Sequence, residues 1–276
     1  MREHQIAAGA AFRALHDGPG IFVLPCAWNV ASARLFEAAG FAAIGTTSGG
    51  VNWSRGRPDY VYSTPREIML GEYGEIASSV AIPTSGDLEN GYGIPAEDVA
   101  NTIGRSIELG MVGGSIEDQA PGPEPGLLPL ELSVERIAAA REAADRSGVP
   151  YVLTARAESL YGGVDRPMDD AIERITRYRA AGADCLFVPG VADVASIAHL
   201  VEAIDAPISV GIGSGGAQLT LDVLADIGVR RVSTGGSMPR AMLGFLRQAC
   251  AELIEHGSFS FAERAIPEDE LNTFLG

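Results

Sequence analysis

Lysine is absent from this sequence, and all 20 of its cationic side chains are arginines. Without a lysine amine, the chain cannot form a Schiff base with a carbonyl substrate, hold pyridoxal phosphate (PLP) as an internal aldimine, or place a P-loop lysine on a nucleotide. The composition therefore excludes class I aldolase chemistry and excludes PLP as a cofactor.

Cysteine and histidine are scarce. Three widely spaced cysteines with no Cys-x-x-Cys pair argue against a disulfide framework and against a zinc knuckle. The four histidines, which lie near the termini or inside a predicted helix, are His4, His16, His199 and His256. We therefore expect neither a histidine base nor a zinc-histidine site.

Long apolar runs and excess positive charge are missing as well. No apolar segment approaches the roughly 20 residues needed to span a bilayer, and Met1–Gln5 lacks the apolar core of a signal peptide. The formal net charge of −16 opposes binding to nucleic acid or to anionic membranes, because such binding depends on Lys and Arg. We expect a soluble, cytoplasmic protein with a small-molecule partner.

Short apolar segments alternate with amphipathic segments along the chain. The eight candidate strands are Ile21–Pro25, Phe41–Gly45, Ala81–Ser85, Val112–Ile116, Tyr151–Ala155, Cys185–Pro189, Pro207–Gly211 and Arg231–Thr234. Helical patterns cover Asn29–Ala39, Pro65–Ser79, Pro95–Leu109, Val134–Arg146, Met168–Ala181, Asp193–Ile204, Ala217–Ile227 and Pro239–Glu255. Repeated strand-helix units favour an α/β fold of parallel strands closed into a TIM-type (β/α)₈ barrel, which needs roughly 250 residues. A doubly wound open sheet is the alternative.

The end of the chain departs from this alternation. We assign residues 1–255 to the barrel and 256–276 to a C-terminal helical extension, in which apolar side chains such as Phe259, Ile266 and Phe274 stand among acidic ones. Such a segment is expected to pack on its own barrel or on a neighbouring subunit.

Acidic residues follow the third and fourth predicted strands, at the end of a barrel strand where active sites lie. Asp87 and Glu89 point the same way if Leu88 turns away. Glu117 follows the next strand, and Asp59 lies in the loop after the second strand. Carboxylates that converge without lysine or histidine repel one another unless a cation lies among them, and Mg²⁺ or Mn²⁺ fits an all-oxygen shell. The alternative is that these acids cap helices or face solvent.

Groups suited to an anion follow two other strands. Thr46–Gly50 offers hydroxyl groups and approachable backbone N–H groups of the kind that hold a carboxylate. Arg156, after the fifth strand, could add a bidentate contact. The connections Ser48–Thr64 and Gln119–Leu132 are longer than is usual for α/β units, which makes them candidate lids.

From Leu24 to about Ala251 the sequence resembles the isocitrate lyase and phosphoenolpyruvate mutase superfamily. The order and spacing of several motifs together carry the resemblance. These motifs are Leu24–Arg34, the Thr-Thr-Ser-Gly-Gly stretch at 46–50, Gly56–Asp59, Asp87–Gly93, Ile116–Gln119 and Ala155–Glu158.

The resemblance implies an Mg²⁺-dependent barrel that forms a homo-oligomer, a dimer or commonly a tetramer, in which a helix beyond the barrel is exchanged between subunits. It implies that Asp87 is the direct metal ligand. The residues implied to act on the metal mainly through water are Asp59, Glu89 and Glu117. Those implied to bind substrate are Thr47, Ser48, Gly49, Gly50, Asp59, Arg156 and Ser209, and those implied in catalysis are Arg156, Glu117, Tyr92 and Asp59.

Departures from the superfamily pattern bear on the reaction. Its lyases carry Lys-Lys-Cys-Gly-His or a close variant in the lid, whereas Gln119–Leu128 contains no lysine, cysteine or histidine. Its phosphonopyruvate-processing members place lysine and small polar residues there, and those are missing too. Ser209 stands where many relatives have asparagine. The candidates for a proton donor are Tyr92, Glu124, Glu158, Tyr161 and a water molecule.

The leading expectation is a lyase that cleaves or decarboxylates a small 2-oxo or 2-hydroxy carboxylic acid through an enolate stabilised by the metal. Decarboxylation requires the fewest catalytic groups from the lid, because CO₂ leaves without the help of a general acid. Phosphorus-carbon chemistry on phosphonopyruvate, by a mutase or a hydrolase, is the first alternative. A carboxylate-binding barrel without catalysis is the second.

Overall fold

A computed structural model of the protein describes residues 2–124, 126–213 and 219–275. The strands are β1 (Phe22–Leu24), β2 (Cys26–Ala27), β3 (Ile44–Thr46), β4 (Thr84–Asp87), β5 (Gly113–Glu117), β6 (Val152–Arg156), β7 (Cys185–Phe187), β8 (Ile208–Gly211) and β9 (Arg231–Ser233). They form one sheet in the order β1-β9-β8-β7-β6-β5-β4-β3-β2, and every neighbouring pair is parallel.

Pro25 divides the first barrel strand in two. β1 pairs with β9 on one side, and β2 pairs with β3 on the other. Proline lacks an N–H group, so a break in the ladder falls naturally at this residue. Because β1 and β2 are consecutive in the chain, they join the two ends of the sheet and close the ring. The predicted (β/α)₈ barrel is confirmed.

The helices surround this ring. They are α1 (Arg2–Asp17), α2 (Val30–Ala38), α3 (Ser48–Ser54), α4 (Arg66–Ser78), α5 (Ala96–Glu108), α6 (Leu130–Ser147), α7 (Pro167–Ala180), α8 (Val194–Ala203), α9 (Leu221–Asp226), α10 (Ser237–His256) and α11 (Glu268–Leu275). Within the predicted helix Ala217–Ile227, α9 covers Leu221–Asp226, and residues 217–218 lie outside the described residues. Among the described residues, no helix is long and apolar enough to cross a membrane.

The helix α1 was not anticipated from the sequence. It covers the N-terminal end of the barrel, where Phe12 is fully buried and Gln5 Nε2 donates to the carbonyl oxygens of Ile107 and Met111 at 2.7 and 3.1 Å. A Cβ at Gly9 would lie 2.6 Å from the Pro150 carbonyl oxygen, so glycine permits this close approach. The catalytic end is therefore the opposite, C-terminal rim.

Several strands start later than the sequence suggests and run further. The predicted Phe41–Gly45 is observed as Ile44–Thr46, and the predicted Ala81–Ser85 as Thr84–Asp87. Phe41 and Ile82 pack partly buried against the core before the ladder begins. The hydrogen-bonded ladder extends into the polar residues that follow. The acidic residue Asp87 consequently belongs to a rigid strand end.

A polar layer lies inside the barrel, away from the C-terminal rim. Arg231 is buried, with Nε donating to Ser209 Oγ at 2.9 Å and Nη1 donating to Thr154 Oγ1 at 3.0 Å. Its Nη1 also lies 3.3 Å from His16 Nε2. The structure thus places Ser209, predicted to bind substrate, in contact with an interior arginine.

His16 gives this layer a pH dependence. Burial and the nearby Arg231 lower the pKa of His16 to about 3. The unfolded chain binds this proton below about pH 6.5, and the folded chain only below about pH 3, so stability falls as the pH decreases through that window. Between about pH 7 and pH 5 we expect His16 to lower the free energy of unfolding by about 2 kcal/mol.

Urea unfolding at both pH values measures this loss. His16→Gln should show a smaller decrease than the wild type, and the exposed His199→Gln should behave like the wild type. An equal decrease in all three proteins would contradict the assignment.

The C-terminal extension lies on its own chain. After α10, a 3₁₀ turn at Ser260–Arg264 leads to α11, which packs on α2, and Arg34 Nη1 donates to the Leu275 carbonyl oxygen. Large apolar side chains on α10 stay exposed, among them Leu246 and Ile254. The division at residue 255 and the exchange of a helix between subunits remain predictions.

Candidate active site

Three of the predicted side chains stand on the last residues of neighbouring strands. Asp87 ends β4, Glu117 ends β5 and Arg156 ends β6. The guanidinium of Arg156 bridges the two acids, since Nη1 lies 3.2 Å from Asp87 Oδ1 and Nη2 lies 3.1 Å from Glu117 Oε2. Because parallel barrel strands end at one rim, residues far apart in sequence meet here.

The guanidinium of Arg156 has ionic contacts along its edges and an aromatic contact on one face. Its Nε and Nη2 lie 2.9 and 2.7 Å from Glu158 Oε1, and its guanidinium carbon lies 5.3 Å from the centre of the Phe187 ring. Burial would lower the pKa of Arg156, but the neighbouring carboxylates, Glu158 foremost, outweigh burial and raise it. The side chain is therefore a fixed counter-ion to three acids.

The Thr46–Gly50 stretch packs against the acids. Ser48 donates to Asp87 Oδ2 from its backbone N at 2.9 Å and from its Oγ at 2.8 Å. A Cβ at Gly49 would lie 2.5 Å from Asp59 Oδ2, so glycine at this position lets Asp59 approach the turn. Ser48 at the start of α3 thus holds the Asp87 carboxylate, and Gly49 leaves room for Asp59 beside it.

Glu89 is buried, and each of its carboxylate oxygens accepts a hydrogen bond. Tyr62 N donates to Oε2 at 2.9 Å, and the Tyr92 hydroxyl donates to Oε1 at 3.0 Å. These three residues are the non-glycine residues with positive φ in the described chain, at 67° for Tyr62, 48° for Glu89 and 59° for Tyr92. Such backbone strain collects at functional sites. Burial raises the pKa of Glu89 to about 7.

The connection after β5 forms a short hairpin. Gln119 and Leu127 form an antiparallel bridge, and Leu128 N donates to the Asp118 carbonyl oxygen at 2.8 Å. The Asp118 carboxylate accepts from Tyr178 Oη at 2.6 Å and from Arg174 Nη1 at 3.0 Å. Asp118 therefore anchors the base of the hairpin, whereas the preceding residue faces the site.

One cavity of about 430 Å³ gathers these groups. The predicted site residues that line it are Thr47, Ser48, Gly49, Asp59, Asp87, Glu89, Glu117 and Arg156. Gly50, Tyr92 and Ser209 are not among its described lining residues: a Cβ at Gly50 would meet Trp28 Cβ at 2.6 Å, Tyr92 faces Glu89, and Ser209 faces Arg231.

The charges in this cavity do not balance. Burial raises the pKa of Asp59, with Asp87 adding to the effect, and burial raises the pKa of Glu117 well above its usual value although Arg156 opposes it. In the part of the chain described, no three His, Cys, Asp or Glu side chains are placed to hold a metal ion directly. The donor set thus fits an ion held through one or two carboxylates and several waters, as Mg²⁺ commonly is.

The other half of the cavity was not predicted from the sequence. It is formed by the ends of β7, β8 and β9 and the start of α10, and its lining includes Phe187, Pro189, Ile212, Ser237 and Arg240. The prediction relied on acidic motifs, which follow other strands. This half of the cavity carries mainly glycine and apolar residues. The general rule that every barrel strand contributes its C-terminal end was the available signal.

The closed barrel and the cavity at its C-terminal rim define a (β/α)₈ barrel enzyme. Residues 12–254 match the family described as phosphoenolpyruvate phosphomutase. The chain belongs to this family, which confirms the resemblance seen in the sequence.

Individual relatives differ in their named reactions. The 2-methylisocitrate lyase of Escherichia coli (strain K12) is 32% identical over 216 residues, which cover 76% of this chain and 71% of that protein. A crystal structure from Burkholderia cenocepacia J2315 superposes with TM-score 0.92 at 42% identity and covers 99% of this chain and 97% of that one. The phosphoenolpyruvate phosphomutase of Streptomyces platensis subsp. rosaceus superposes with TM-score 0.85 at 26% identity, covering 96% and 94%. The relatives are lyases and mutases, so family membership leaves the reaction open.

Proposed function

We propose that this protein is a Mg²⁺-dependent lyase that cleaves or decarboxylates a small 2-oxo or 2-hydroxy carboxylic acid, with Mn²⁺ able to replace Mg²⁺. The observation that carries the proposal is a cavity lined by four carboxylates and two arginines, of which Arg156 is already paired with acids. A divalent cation would balance the excess negative charge of this cavity, in which Glu89 and Glu117 are buried.

The contacts suggest how the acids would share the ion. Asp87 stands at a strand end and is the proposed direct ligand. Glu89, Asp59 and Glu117 are proposed to act on the ion mainly through water, as the family resemblance implies. Tyr62 and Tyr92 would fix the orientation of the Glu89 carboxylate. When bound, Mg²⁺ would polarise the substrate's carboxylate and C2 oxygen and stabilise the enolate.

The remaining residues would bind and orient the substrate. In the turn that contains Ser48 and Gly49, the Gly49 N–H group would donate to the substrate carboxylate, since the Ser48 N–H group already donates to Asp87. The fixed charge of Arg156 would stabilise negative charge at the reacting end. Among the proton-donor candidates, Tyr161 lines the cavity, whereas Glu158 is paired with Arg156. Tyr161 or a water molecule is therefore the proposed donor.

Phosphorus-carbon chemistry is the second candidate, supported by the family match and by the phosphomutase relative. Phosphorus NMR of the protein with phosphonopyruvate and Mg²⁺ separates the two reactions. Conversion of the phosphonate signal into a phosphate ester or free phosphate would favour this candidate over the lyase.

A direct assay tests the leading proposal. Purified protein is incubated with oxaloacetate and with alkyl malates, with Mg²⁺ or with EDTA, and 2-oxo acid products are measured. We expect turnover with Mg²⁺ and none with EDTA. Inactivity on all of them, together with Mg²⁺-dependent binding of oxalate, would favour the carboxylate-binding barrel without catalysis.

A homo-oligomer, either a dimer or a tetramer, is part of the proposal. It is supported by the exposed apolar side chains of α10 and of the segment after it, including Met242, Leu246, Ile254 and Phe259. Contiguous exposed apolar surface commonly marks a protein-protein contact. Sedimentation of the protein as a monomer would contradict it.

A further inference from the structure

A buried ion pair lies behind the cavity, between α7 and the residue that follows β5. Arg174 Nη1 donates to Asp118 Oδ2 at 3.0 Å, and Tyr178 Oη donates to the same oxygen at 2.6 Å. Arg174 is 6% exposed and Asp118 is 2% exposed. Neither is among the described residues that line the cavity. Any effect of this pair on a reaction in the cavity must therefore pass through other residues.

Stability alone does not explain a charged pair in this place. Removing two charges from water costs free energy that their attraction largely offsets, and apolar side chains of similar volume are often as stable. The pair differs from an apolar contact in fixing direction. Asp118 Oδ1 accepts from the backbone N of Glu158 at 2.8 Å, while Oδ2 accepts from Arg174 and Tyr178. The carboxylate is therefore held in one orientation.

One set of contacts leads from the pair to the hairpin after β5. Arg174 Nη1 also donates to the Leu128 carbonyl oxygen at 3.1 Å, and Leu128 N donates to the Asp118 carbonyl oxygen at 2.8 Å. A single guanidinium nitrogen thus holds the two ends of the hairpin together. Gln119, the first hairpin residue, lines the cavity. The pair consequently fixes this part of the cavity wall.

A second set of contacts leads to Arg156. The backbone N of Glu158 donates to Asp118, and the carboxylate of the same residue lies 2.7 and 2.9 Å from Nη2 and Nε of Arg156. Because few bonds separate the backbone of a glutamate from its carboxylate, fixing the backbone of Glu158 limits where this carboxylate lies. The position of the Arg156 guanidinium is limited with it.

The residue after Glu158 is held by the same arginine. Ser159 Oγ donates to Asp170 Oδ2 at 2.6 Å, and Arg174 Nε donates to that oxygen at 2.8 Å. Ser159 is buried. Arg174 therefore fixes the connection between β6 and α7 at two successive residues, once through Asp118 and once through Asp170.

We infer that the Asp118–Arg174 pair is a positioning unit of the active site. Through Glu158 it sets the position of Arg156, and through Leu128 it sets the position of the hairpin. Its effect on rate rests on the proposed function, in which Arg156 stabilises charge at the reacting end of the substrate. A displacement of about 1 Å at such a group can lower the rate roughly a hundredfold.

The groups that would hold the substrate carboxylate and the metal lie outside this unit. In the described part of the chain, neither Ser48 nor Asp87 has a hydrogen bond or ion pair with Asp118 or Arg174. Loss of the pair should therefore lower kcat more than it raises KM.

A neutral double variant tests the inference. Asp118→Asn combined with Arg174→Met removes both charges, so no charge stays buried without a partner, and the urea midpoint of unfolding should remain close to that of the wild type. With Mg²⁺ and an acid that the wild type turns over, kcat should fall roughly tenfold to a hundredfold, while KM changes less than about threefold. Glu131→Gln combined with Arg177→Met is the matched control. It removes an exposed pair between the same two helices, α6 and α7, and should keep the wild-type kcat.

Hydrogen exchange measured by NMR gives a readout that needs no activity. The amides of Ala120 and Leu128 are bonded across the base of the hairpin, to the carbonyl oxygens of Gly126 and Asp118. In the double variant both amides should exchange roughly fivefold to tenfold faster, and those of α5 should not change. The control variant should match the wild type at every one of these amides.

Tyr178→Phe is a milder variant that decides the question should the double variant not fold. It removes the hydroxyl group that donates to Asp118 and leaves the two charges paired. Leu128 should exchange faster in this variant, and kcat should fall roughly threefold.

Hairpin exchange at the wild-type rate in the variants that fold overturns the inference, whether or not stability and kcat decrease, because the pair would then only stabilise the fold. Faster exchange with an unchanged kcat overturns it as well. Absence of turnover by the wild type with every acid contradicts the proposed function alone, and the exchange rates then decide whether the pair positions the hairpin.

Discussion

Asp87→Asn is expected to remove Mg²⁺-dependent activity, with kcat falling roughly a hundredfold to a thousandfold. The asparagine keeps the shape of the side chain, and its oxygen can still accept from Ser48. It loses the negative charge at the strand end, which is the feature that a hard cation requires. We expect Mg²⁺ to raise the melting temperature of the wild type, and this rise should disappear in the variant together with activity.

The same variant should fold at least as well as the wild type without metal. The charge of Asp87 contributes to the raised pKa values of Asp59, Glu89 and Glu117, after burial. An acid whose pKa is raised by folding destabilises the folded state increasingly as the pH rises above its unfolded value. Removing one of the repelling charges relieves part of this cost, and the relief should grow from about pH 5 to about pH 7.

Melting temperatures with and without Mg²⁺, measured beside the activity assay, check both statements. Asp226→Asn, which changes an exposed aspartate on α9, is the matched control and should retain activity and the response to Mg²⁺. An Asp87→Asn protein that is active and is still stabilised by Mg²⁺ would remove Asp87 from the metal site.

Arg156→Gln is expected to damage both stability and activity. The variant leaves Glu117 and Glu158 buried without their cation, and removing one partner of a buried ion pair costs about 3–5 kcal/mol. In the wild type, burial raises the pKa of Glu117 and of Glu158, and Arg156 opposes this rise. Both pKa values should therefore increase further in the variant. The lost stability should therefore be largest at high pH and smallest in acid, where these groups take up protons.

Guanidinium chloride unfolding at two pH values, one below and one above neutrality, measures this effect. Arg177→Gln, which removes an exposed pair with Glu131, serves as the control and should unfold close to the wild type. Arg156→Lys should recover part of the stability but little activity, because an ammonium group cannot replace the planar fork that meets three carboxylates. A loss of stability in Arg156→Gln that does not change with pH would contradict this account.

Local patterns in the sequence were sufficient for the class of fold and for one side of the site. Apolar runs alternating with amphipathic helices predicted the barrel, since both periods are properties of short segments. The acids near Asp87 and Glu117 were identified because the barrel rule places the site just after such runs. Ser209 was harder to place, because its position along the strand does not tell which layer of the barrel it enters.

The sequence by itself determined that lysine-based chemistry is impossible, that the chain alternates as a (β/α)₈ barrel does, and that carboxylates follow two adjacent strands. Only the tertiary structure decided that Pro25 splits the strand that closes the ring, that α1 covers the opposite end, and that Arg240 faces the cavity. The physical reason is the sequence distance over which each effect acts, since propensity and periodicity depend on only a few neighbouring residues. Ring closure, burial of charge and the meeting of Arg156 with acids on other strands depend on contacts between residues far apart in the chain.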